Sequence, residues 1–212
     1  MSSPLYIAIE GPIGVGKSTL ARLLGERMNA RFVMEIVEEN PFLADFYRDR
    51  DRYAFQTQIF FLMSRFKQQR QLMQPDLFKP DLVSDYHLLK DRLFAQLTLS
   101  GDELALYEAV YRSLEDQILQ PDVLVYLHAS QSVLLERIKK RGRPFEEDFD
   151  PAYLCGLSEA YQDYFATYDR TPLLRVDTSQ LNIPASAELV DHLFERITKM
   201  ATEPPISASS AG

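Results

Sequence analysis

The amino-acid sequence predicts an α/β fold of three layers, with a parallel sheet of about five strands between helices. The chain has 212 residues, which suits one domain with a sizeable core. Short apolar runs alternate with longer helical patterns, and a glycine-rich turn joins the first run to the first helix. Ligands of such sheets bind beyond the carboxyl ends of the strands, so we expect the functional residues there.

Each predicted strand is a short apolar run bounded by polar, Pro or Gly residues, as expected for burial on both faces. In chain order the runs are LYIAI from Leu5, RFVMEIV from Arg31, DLVSD from Asp81, DVLVYL from Asp122 and LLRVD from Leu173. Helical patterns connect and follow them, at roughly Lys17–Met28, Tyr53–Met73, His87–Leu97, Asp102–Leu119, Ser130–Lys140, Pro151–Tyr168 and Ala185–Met200.

The chain has no internal repeat and no linker between two cores, so residues 1–200 are predicted to form a single domain. Residues 201–212 are rich in Pro, Ser and Ala and have little to bury. This tail is therefore predicted to be disordered.

The composition excludes several classes of partner. The net charge of −8 disfavours broad contact with a nucleic-acid backbone. No apolar run is long enough to span a bilayer, and the start of the chain lacks the features of a signal peptide. The single cysteine, Cys155, allows no intrachain disulfide. We expect a cytoplasmic protein with neither a nucleic-acid nor a membrane partner.

The glycine-rich turn fits a phosphate chain. Gly11, Gly16, Lys17 and Ser18 satisfy G-x-x-x-x-G-K-[ST] between a predicted strand and a predicted helix, which is the context that the motif requires. Backbone amides and the helix N-terminus can hold phosphate oxygens, Lys17 neutralises charge and Ser18 can ligate magnesium. The alternative is a chance turn. The predicted nucleotide-binding residues of this loop are Gly11, Pro12, Ile13, Gly14, Val15, Gly16, Lys17, Ser18 and Thr19.

A second basic element, RIKKRGRPFEE, begins at Arg137 after the fourth predicted strand. Arg137 and Arg141 are four residues apart on one helix and Arg143 follows across Gly142, so three guanidinium groups can converge over a triphosphate. These residues predict a mobile lid at about residues 137–148. The alternative is a solvated basic helix end that offsets its own dipole.

The end of the second strand offers carboxylates for an acceptor site. Phosphoryl transfer to a hydroxyl needs a base or a positioning group, and MEIVEENPF supplies Glu35, Glu38 and Glu39. Glu35 is the nearest to the strand end and the phosphate loop. Glu38 and Glu39 fit a solvated loop at least as well.

The apolar helix YAFQTQIFFLMSRFKQQRQ contains two polar residues that are candidates for the same site. Gln58 and Arg65 are seven residues apart, almost two turns, and therefore lie on one face. Buried polar groups need partners. Either the edge of a heterocyclic base or an internal network with carboxylates would supply them.

These motifs, in this order, resemble the deoxynucleoside kinase family, most closely its bacterial purine branch of deoxyguanosine and deoxyadenosine kinases. The resemblance runs from about Leu5 to Met200 and rests on EGPIGVGKST, EIVEENPFLADFY, YAFQTQIFFLMSRFKQ, VSDYHLLKDRLFA, PDVLVYL and RIKKRGRPFEE. It implies a P-loop kinase fold with an Arg-rich lid, ATP and Mg²⁺ as cofactors, and a homodimer. The implied reaction moves the γ-phosphate of ATP to the 5′-hydroxyl of a deoxynucleoside.

The resemblance implies roles for the acceptor residues. Glu35 corresponds to the family's base at the 5′-hydroxyl, with Ile36 in place of the usual proline. Tyr47 and Glu146 correspond to the residues that hold the 3′-hydroxyl. Gln58 would read the base, Arg65 would lie near it, and Phe94 would stack on it.

On the donor side, the resemblance assigns Arg137, Arg141 and Arg143 to the lid arginines. Together with Lys17, Arg141 and Arg143 would stabilise the transferring phosphoryl group, while Arg137 and Arg141 would contact ATP. Ser18 would hold the magnesium ion with the acid after the third strand.

One motif departs from the family. The acidic-Arg-Ser motif after the third strand reads SDYH here. Asp85 can still serve the metal and the substrate, but Tyr86 stands where the arginine would be, and His87 or a lid arginine is expected to compensate. The DYH form resembles the deoxyguanosine kinase branch.

Lys90 points to the same branch. It occupies the place where many relatives carry an aspartate facing the base and Arg65, and it lies one helical turn from Phe94. Lysine and arginine only donate, so this pocket suits the 6-oxo group of guanine better than the 6-amino group of adenine. The amide of Gln58 can flip to match either purine. The alternative for Lys90 is an exposed helix lysine; with the donor argument we predict deoxyguanosine first and deoxyadenosine second.

Two other functions compete with this one. A nucleoside monophosphate kinase would need a cationic pocket for the phosphate of its acceptor, whereas Tyr47, Gln58 and Glu146 suit a neutral sugar and base. A nucleotide-binding regulator without catalysis would explain the missing arginine, but the intact phosphate loop, Glu35 and the lid favour an enzyme.

Overall fold

The computed structural model describes residues 4–35, 37–72, 81–146, 149–183 and 186–202. Its five strands form one parallel sheet with the order β2-β3-β1-β4-β5. This arrangement confirms the predicted α/β class with a five-stranded parallel sheet. The strands are β1 Tyr6–Glu10, β2 Arg31–Val33, β3 Leu82–Ser84, β4 Val123–His128 and β5 Leu173–Asp177.

Eight α-helices are present in the described part of the chain. They are α1 Lys17–Met28, α2 Leu43–Arg48, α3 Arg50–Leu72, α4 Leu89–Thr98, α5 Gly101–Glu115, α6 Gln131–Arg141, α7 Pro151–Ala166 and α8 Ala187–Thr202. Two single turns of 3₁₀-helix lie at Val37–Glu39 and Pro144–Glu146. All seven predicted helices occur, with ends that differ by a few residues. Helix α2 was not predicted, because six residues span less than two turns and give little periodicity.

The second strand is shorter than predicted. It pairs with β3 only over Arg31–Val33, since β3 itself has three residues, and Met34 is already exposed. Glu35 therefore lies in the connection that follows the strand, at the carboxyl edge of the sheet. That position lets the carboxylate approach groups from several elements.

Helices cover both faces of the sheet and bury it. Ile7 and Ile9 of β1 pack in one cluster with Leu20 of α1 and Ile197 of α8. On the other face, residues of β4 pack with α4 and α7, in a cluster that includes Tyr126 and Tyr161. Burying one such aliphatic side chain contributes about 1.5–3 kcal/mol, so the sheet is a firm base for the loops at its carboxyl edge.

No helix among the described residues is long and apolar enough to cross a membrane. Most of the tail that the sequence predicts to be disordered, residues 203–212, lies outside the described residues, as does the end of the predicted lid at residues 147–148.

Candidate active site

The phosphate loop connects β1 to α1, as the motif requires. Gly11 has φ +147°, and a Cβ atom there would lie 2.2 Å from the carbonyl oxygen of Leu127 on β4. Gly16 caps α1 with φ 104°, in the left-handed region that other residues rarely adopt. The glycines are therefore needed for the backbone to turn this closely against the sheet. Pro12 and Val15 are buried within the loop, whereas Ile13 and Gly14 line a pocket.

Lys17 and Ser18 open helix α1 and face the same pocket. Lys17 Nζ donates to the carbonyl oxygens of Gly11 at 2.8 Å and Pro12 at 3.0 Å. Burial lowers the pKa of Lys17 to about 8, with a further contribution from the nearby Lys90. An ammonium group in this position would gain strongly from a phosphate chain placed beside it. Thr19 follows on the helix and is half-buried.

The two predicted metal ligands are in direct contact. Ser18 Oγ donates to Asp85 Oδ2, and the other oxygen of Asp85 accepts from the backbone N–H of Glu35 at 2.7 Å. Burial raises the pKa of Asp85. A hydroxyl and a carboxylate are hard oxygen donors that suit Mg²⁺, which keeps several waters and takes further oxygens from substrate phosphates. The part of the chain that the structure describes contains no cluster of three or more acidic, His or Cys side chains that could hold a metal ion.

The acceptor half of the pocket lies between α2, α3, α4 and the turn that carries Glu146. The predicted residues Glu35, Tyr47, Gln58, Arg65, Asp85, Lys90, Phe94 and Glu146 all line this one cavity, which also reaches Lys17 and Ser18. Gln58 and Arg65 are buried on the same face of α3, as their spacing predicts. Glu39 is exposed and lies outside this pocket, in agreement with the solvated alternative, and the side chain of Glu38 lies outside the described part of the structure.

Glu35 is the centre of a buried charge cluster. Its Oε1 accepts from Arg65 Nε at 2.8 Å and also from Arg65 Nη2, while its Oε2 accepts from Lys90 Nζ. Burial alone would raise the pKa of Glu35, but Arg65 and Lys90 together hold it well below its ordinary value. The carboxylate is therefore ionised at neutral pH and fixed in direction. It can orient a hydroxyl strongly, although its low basicity limits it as a proton acceptor.

The structure gives Lys90 and Arg65 partners that differ from the sequence-based picture. Lys90 is buried and its ammonium binds Glu35 rather than standing free to face a base. Besides Glu35, Arg65 pairs with Asp91, the next residue along α4, which is fully buried. In this chain an aspartate that contacts Arg65 therefore lies one residue after Lys90. Two cations and two carboxylates balance in this cluster, so the donor-only pocket that favoured guanine is not what the structure contains.

The lid arginines divide into two kinds. Arg141 and Arg143 line the pocket, as predicted. Arg141 donates to Glu146 through Nε at 3.2 Å, and Arg143 Nη1 lies 3.9 Å from the same carboxylate. Tyr47 lies close to this group, because its ring stacks on Phe145 with centroids 5.9 Å apart. Tyr47 and Glu146 therefore meet at one side of the acceptor pocket.

Arg137 is not among the residues that line the pocket, and its contact with ATP stays a prediction. Its guanidinium donates to the carbonyl oxygens of Val15 at 3.3 Å, Thr178 at 2.7 Å and Leu181 at 3.1 Å, and to Thr178 Oγ1 at 3.0 Å. The side chain joins the phosphate loop to the connection after β5. Because backbone carbonyl oxygens accept hydrogen bonds from its guanidinium, we call Arg137 a structural clamp between these two segments.

In the SDYH segment, Asp85 lies where the acid was expected, and the two residues that follow it do not replace the missing arginine. Tyr86 is buried and donates from its hydroxyl to Gln68 at 2.6 Å. His87 is also buried, with Nε2 3.3 Å from the carbonyl oxygen of Leu119, and burial lowers its pKa to about 4. A neutral, internally bonded histidine cannot supply a charge, so His87 does not compensate. Of the two expected substitutes for the missing arginine, only the lid arginines Arg141 and Arg143 line the pocket.

Sequence reasoning missed several residues that hold the site together. Glu10, at the end of β1, is fully buried and accepts from the backbone N–H of His87 and from the Tyr161 hydroxyl at 3.0 Å. Burial raises its pKa. The sequence feature that could have indicated Glu10 is the presence of a carboxylate at the end of an apolar strand, directly before the glycine-rich loop. Asp91 follows Lys90 in an ordinary helical segment, and no sequence pattern marks it as part of the site. The same is true of Thr98, which contacts Gln58.

A phosphate loop that opens into a buried polar pocket with balanced charges defines a P-loop enzyme that transfers a phosphoryl group to a small acceptor. Comparison with known proteins agrees with this class and specifies it. Residues 7–202 match the family model described as deoxynucleoside kinase. The chain belongs to the deoxynucleoside kinase family and is therefore a phosphotransferase with ATP as donor and a deoxynucleoside as acceptor.

Relatives of both purine types are similar to the chain. It is 41% identical over 163 residues to a deoxyguanosine kinase of Bacillus subtilis (strain 168), covering 76% of this chain and 79% of the relative. It is 34% identical over 202 residues to a deoxyadenosine kinase of Dictyostelium discoideum, covering 92% and 81%. A solved structure of deoxyadenosine kinase from M. mycoides, with the product dCMP and a flexible dCDP bound, superimposes with a TM-score of 0.81 at 26% identity, covering 92% of this chain and all of that one.

Proposed function

We propose that this chain phosphorylates purine deoxynucleosides at the 5′-hydroxyl, with deoxyguanosine preferred and deoxyadenosine second, in deoxynucleotide salvage. The observation that carries the proposal is the position of Glu35, which is held by Arg65 and Lys90 in the cavity that also contains Lys17 and Ser18. A hydroxyl bound at this carboxylate would lie next to the phosphate loop. Attack on a terminal phosphate is the reaction that this neighbourhood favours.

The acceptor half of the cavity supports a neutral acceptor. Arg65 and Lys90 are the cations there, and Glu35 and Asp91 pair with them. A monophosphate acceptor would bring two further negative charges to a cluster that is already balanced, and it would have to compete with buried carboxylates for its partners. This argues against a nucleoside monophosphate kinase.

In the proposed mechanism the protein positions the reactants and offsets charge. Glu35 accepts a hydrogen bond from the 5′-hydroxyl and fixes its direction, and Tyr47 and Glu146 hold the 3′-hydroxyl. Lys17, Arg141 and Arg143 neutralise the donor phosphates, while Ser18 and Asp85 would hold Mg²⁺, whose chemistry is to screen charge on the phosphate oxygens. Arg141 and Arg143 belong to a lid that closes over the donor and keeps water out.

The preference for deoxyguanosine is supported by the Bacillus subtilis relative rather than by Lys90, whose ammonium is bound to Glu35. A deoxyadenosine kinase or a broad-specificity deoxynucleoside kinase is the alternative, because relatives named deoxyadenosine kinase and deoxyadenosine/deoxycytidine kinase are also similar. We further propose a cytoplasmic homodimer, on the family resemblance alone.

A panel of acceptors with ATP and Mg²⁺ tests the proposal. The purified chain should convert deoxyguanosine fastest, deoxyadenosine next, and the two pyrimidine deoxynucleosides slowly. Turnover of deoxynucleoside monophosphates alone would replace the proposal by a monophosphate kinase. Tight nucleotide binding without formation of any deoxynucleotide would instead support a non-catalytic regulator.

A further inference from the structure

The amide of Gln58 has one end engaged and the other end unsatisfied. Gln58 is only 2% exposed, and its Nε2 donates to Thr98 Oγ1 at 3.2 Å. Its Oε1 is buried and has no hydrogen-bond partner among the residues that the structure describes. Buried acceptors are normally paired. This oxygen belongs to a residue that lines the cavity, so a ligand is the partner that would satisfy it.

Thr98 determines which end of the amide is free. It is the last residue of α4, and its Oγ1 donates to the carbonyl oxygen of Phe94 at 2.7 Å. A hydroxyl has one hydrogen, so with that hydrogen directed to Phe94 it can only accept from Gln58. Turning the amide over would bring Oε1 against the lone pairs of Thr98. The contact therefore keeps Nε2 on Thr98 and leaves Oε1 for the ligand.

We propose that Thr98 is a positioning residue that sets the purine preference through Gln58. The inference rests on the proposed function and adds the residue that decides between the two purines. The inferred pose has N1 of the purine opposite Oε1 and position 6 opposite the second hydrogen of Nε2. Guanine then offers an N1–H donor and a 6-oxo acceptor, which match both groups, whereas adenine offers a lone pair at N1 and an amino donor at position 6, which oppose both. An amide that could flip would accept both bases, but one held by Thr98 favours the 6-oxo purine.

Deoxyinosine and deoxyadenosine form a matched pair for the test, because they differ only at purine positions 1 and 6. The ratio of their kcat/KM values is measured for the wild-type chain, Thr98→Val and Thr98→Ser. The wild-type chain should prefer deoxyinosine. Thr98→Val removes the hydroxyl at nearly constant shape and should lower the ratio about fivefold, the effect of one neutral hydrogen bond. Thr98→Ser keeps the hydroxyl and should stay within about twofold of wild type.

A double-mutant cycle separates positioning from a general structural effect. In a Gln58→Ala background, Thr98→Val should leave the ratio unchanged, because the residue through which it acts is absent. Thr98→Ala is a second variant without the hydroxyl and should reproduce the drop of Thr98→Val. An unchanged ratio in both hydroxyl-less variants, or an equal drop in the Gln58→Ala background, overturns the inference.

The outcomes also distinguish this inference from the proposed function. A wild-type chain that phosphorylates both nucleosides but prefers deoxyadenosine overturns the role of Thr98 and leaves the kinase activity standing. A wild-type chain that phosphorylates neither purine deoxynucleoside overturns the proposed function, and the inference falls with it.

Discussion

Replacing Glu35 by Gln should reduce both stability and turnover, for two separable reasons. The carboxylate pairs with Arg65 and Lys90, and all three side chains are at least nine-tenths buried. Unit charges 4 Å apart interact by about 4 kcal/mol at an effective dielectric constant near 20. Arg65 keeps Asp91 as a partner in the variant, but Lys90 becomes an unpaired buried cation. We expect the free energy of unfolding to fall by about 3–5 kcal/mol, the usual cost of breaking such a pair.

The loss of turnover should remain when the unpaired charge of Lys90 is also removed. Glu35→Gln removes the group that orients the 5′-hydroxyl, and loss of a positioned base or acceptor costs about 10²–10⁴ in rate. The double variant Glu35→Gln with Lys90→Gln no longer buries an unpaired cation. It should recover most of the stability in urea unfolding while kcat stays low. Glu39→Gln, an exposed substitution of the same type four residues later, is the control and should change neither quantity.

Two results would refute this reasoning. Parental kcat in Glu35→Gln would remove Glu35 from the reaction. A double variant no more stable than Glu35→Gln would mean that the lost stability does not come from the unpaired ammonium of Lys90. Both are read from unfolding curves and initial rates of the same four proteins.

Three further predictions concern the donor side. Arg137→Met should lower the free energy of unfolding by about 1.5–3 kcal/mol through lost charge-assisted hydrogen bonds to carbonyl oxygens. Arg141→Met, one turn later on α6, should lower kcat and cost less stability, because the Arg141 side chain is 35% exposed and Arg143 stays beside the buried Glu146. Equal unfolding midpoints for the two would contradict the clamp role of Arg137. Gly11→Ala should abolish soluble folded protein or cost more than about 3 kcal/mol, because its Cβ would lie 2.2 Å from a backbone oxygen; a circular-dichroism melt like the parent's would contradict it. Chelation of Mg²⁺ should stop turnover reversibly, and Asp85→Asn should raise the Mg²⁺ concentration needed for half-maximal rate; an unchanged requirement would remove Asp85 from the metal site.

The sequence predicted those parts of the site that depend on local geometry. The phosphate loop was predictable because its glycines, Lys17 and Ser18 act at fixed spacing within one turn. Gln58 and Arg65 were predictable as a pair because seven residues on a helix define a face whatever the helix packs against. The sheet was predictable from short apolar runs, and only β2 is clearly shorter than predicted, because it lies at the edge of the sheet and its neighbour β3 has three residues.

Features that depend on how elements dock were not predictable. Lys90 and Asp91 are about 100° apart on α4, and the orientation of that helix on α3 decides which of them meets Arg65. Arg137 has the same charge and spacing as its neighbours on α6, but the connection after β5 surrounds it with carbonyl oxygens. The charge of such a residue can be read from the sequence, whereas its partner depends on how the helices and loops pack in the tertiary structure.

The distribution of charge in the pocket supports the proposed division into a donor half and an acceptor half. In the acceptor half, Glu35 and Asp91 balance Arg65 and Lys90. In the donor half, Lys17 has only carbonyl oxygens as hydrogen-bond partners among the described residues, and the lid adds Arg141 and Arg143 around one carboxylate. A triphosphate would therefore be stabilised at the donor end and a neutral alcohol at the other, which is the division that the proposed function requires.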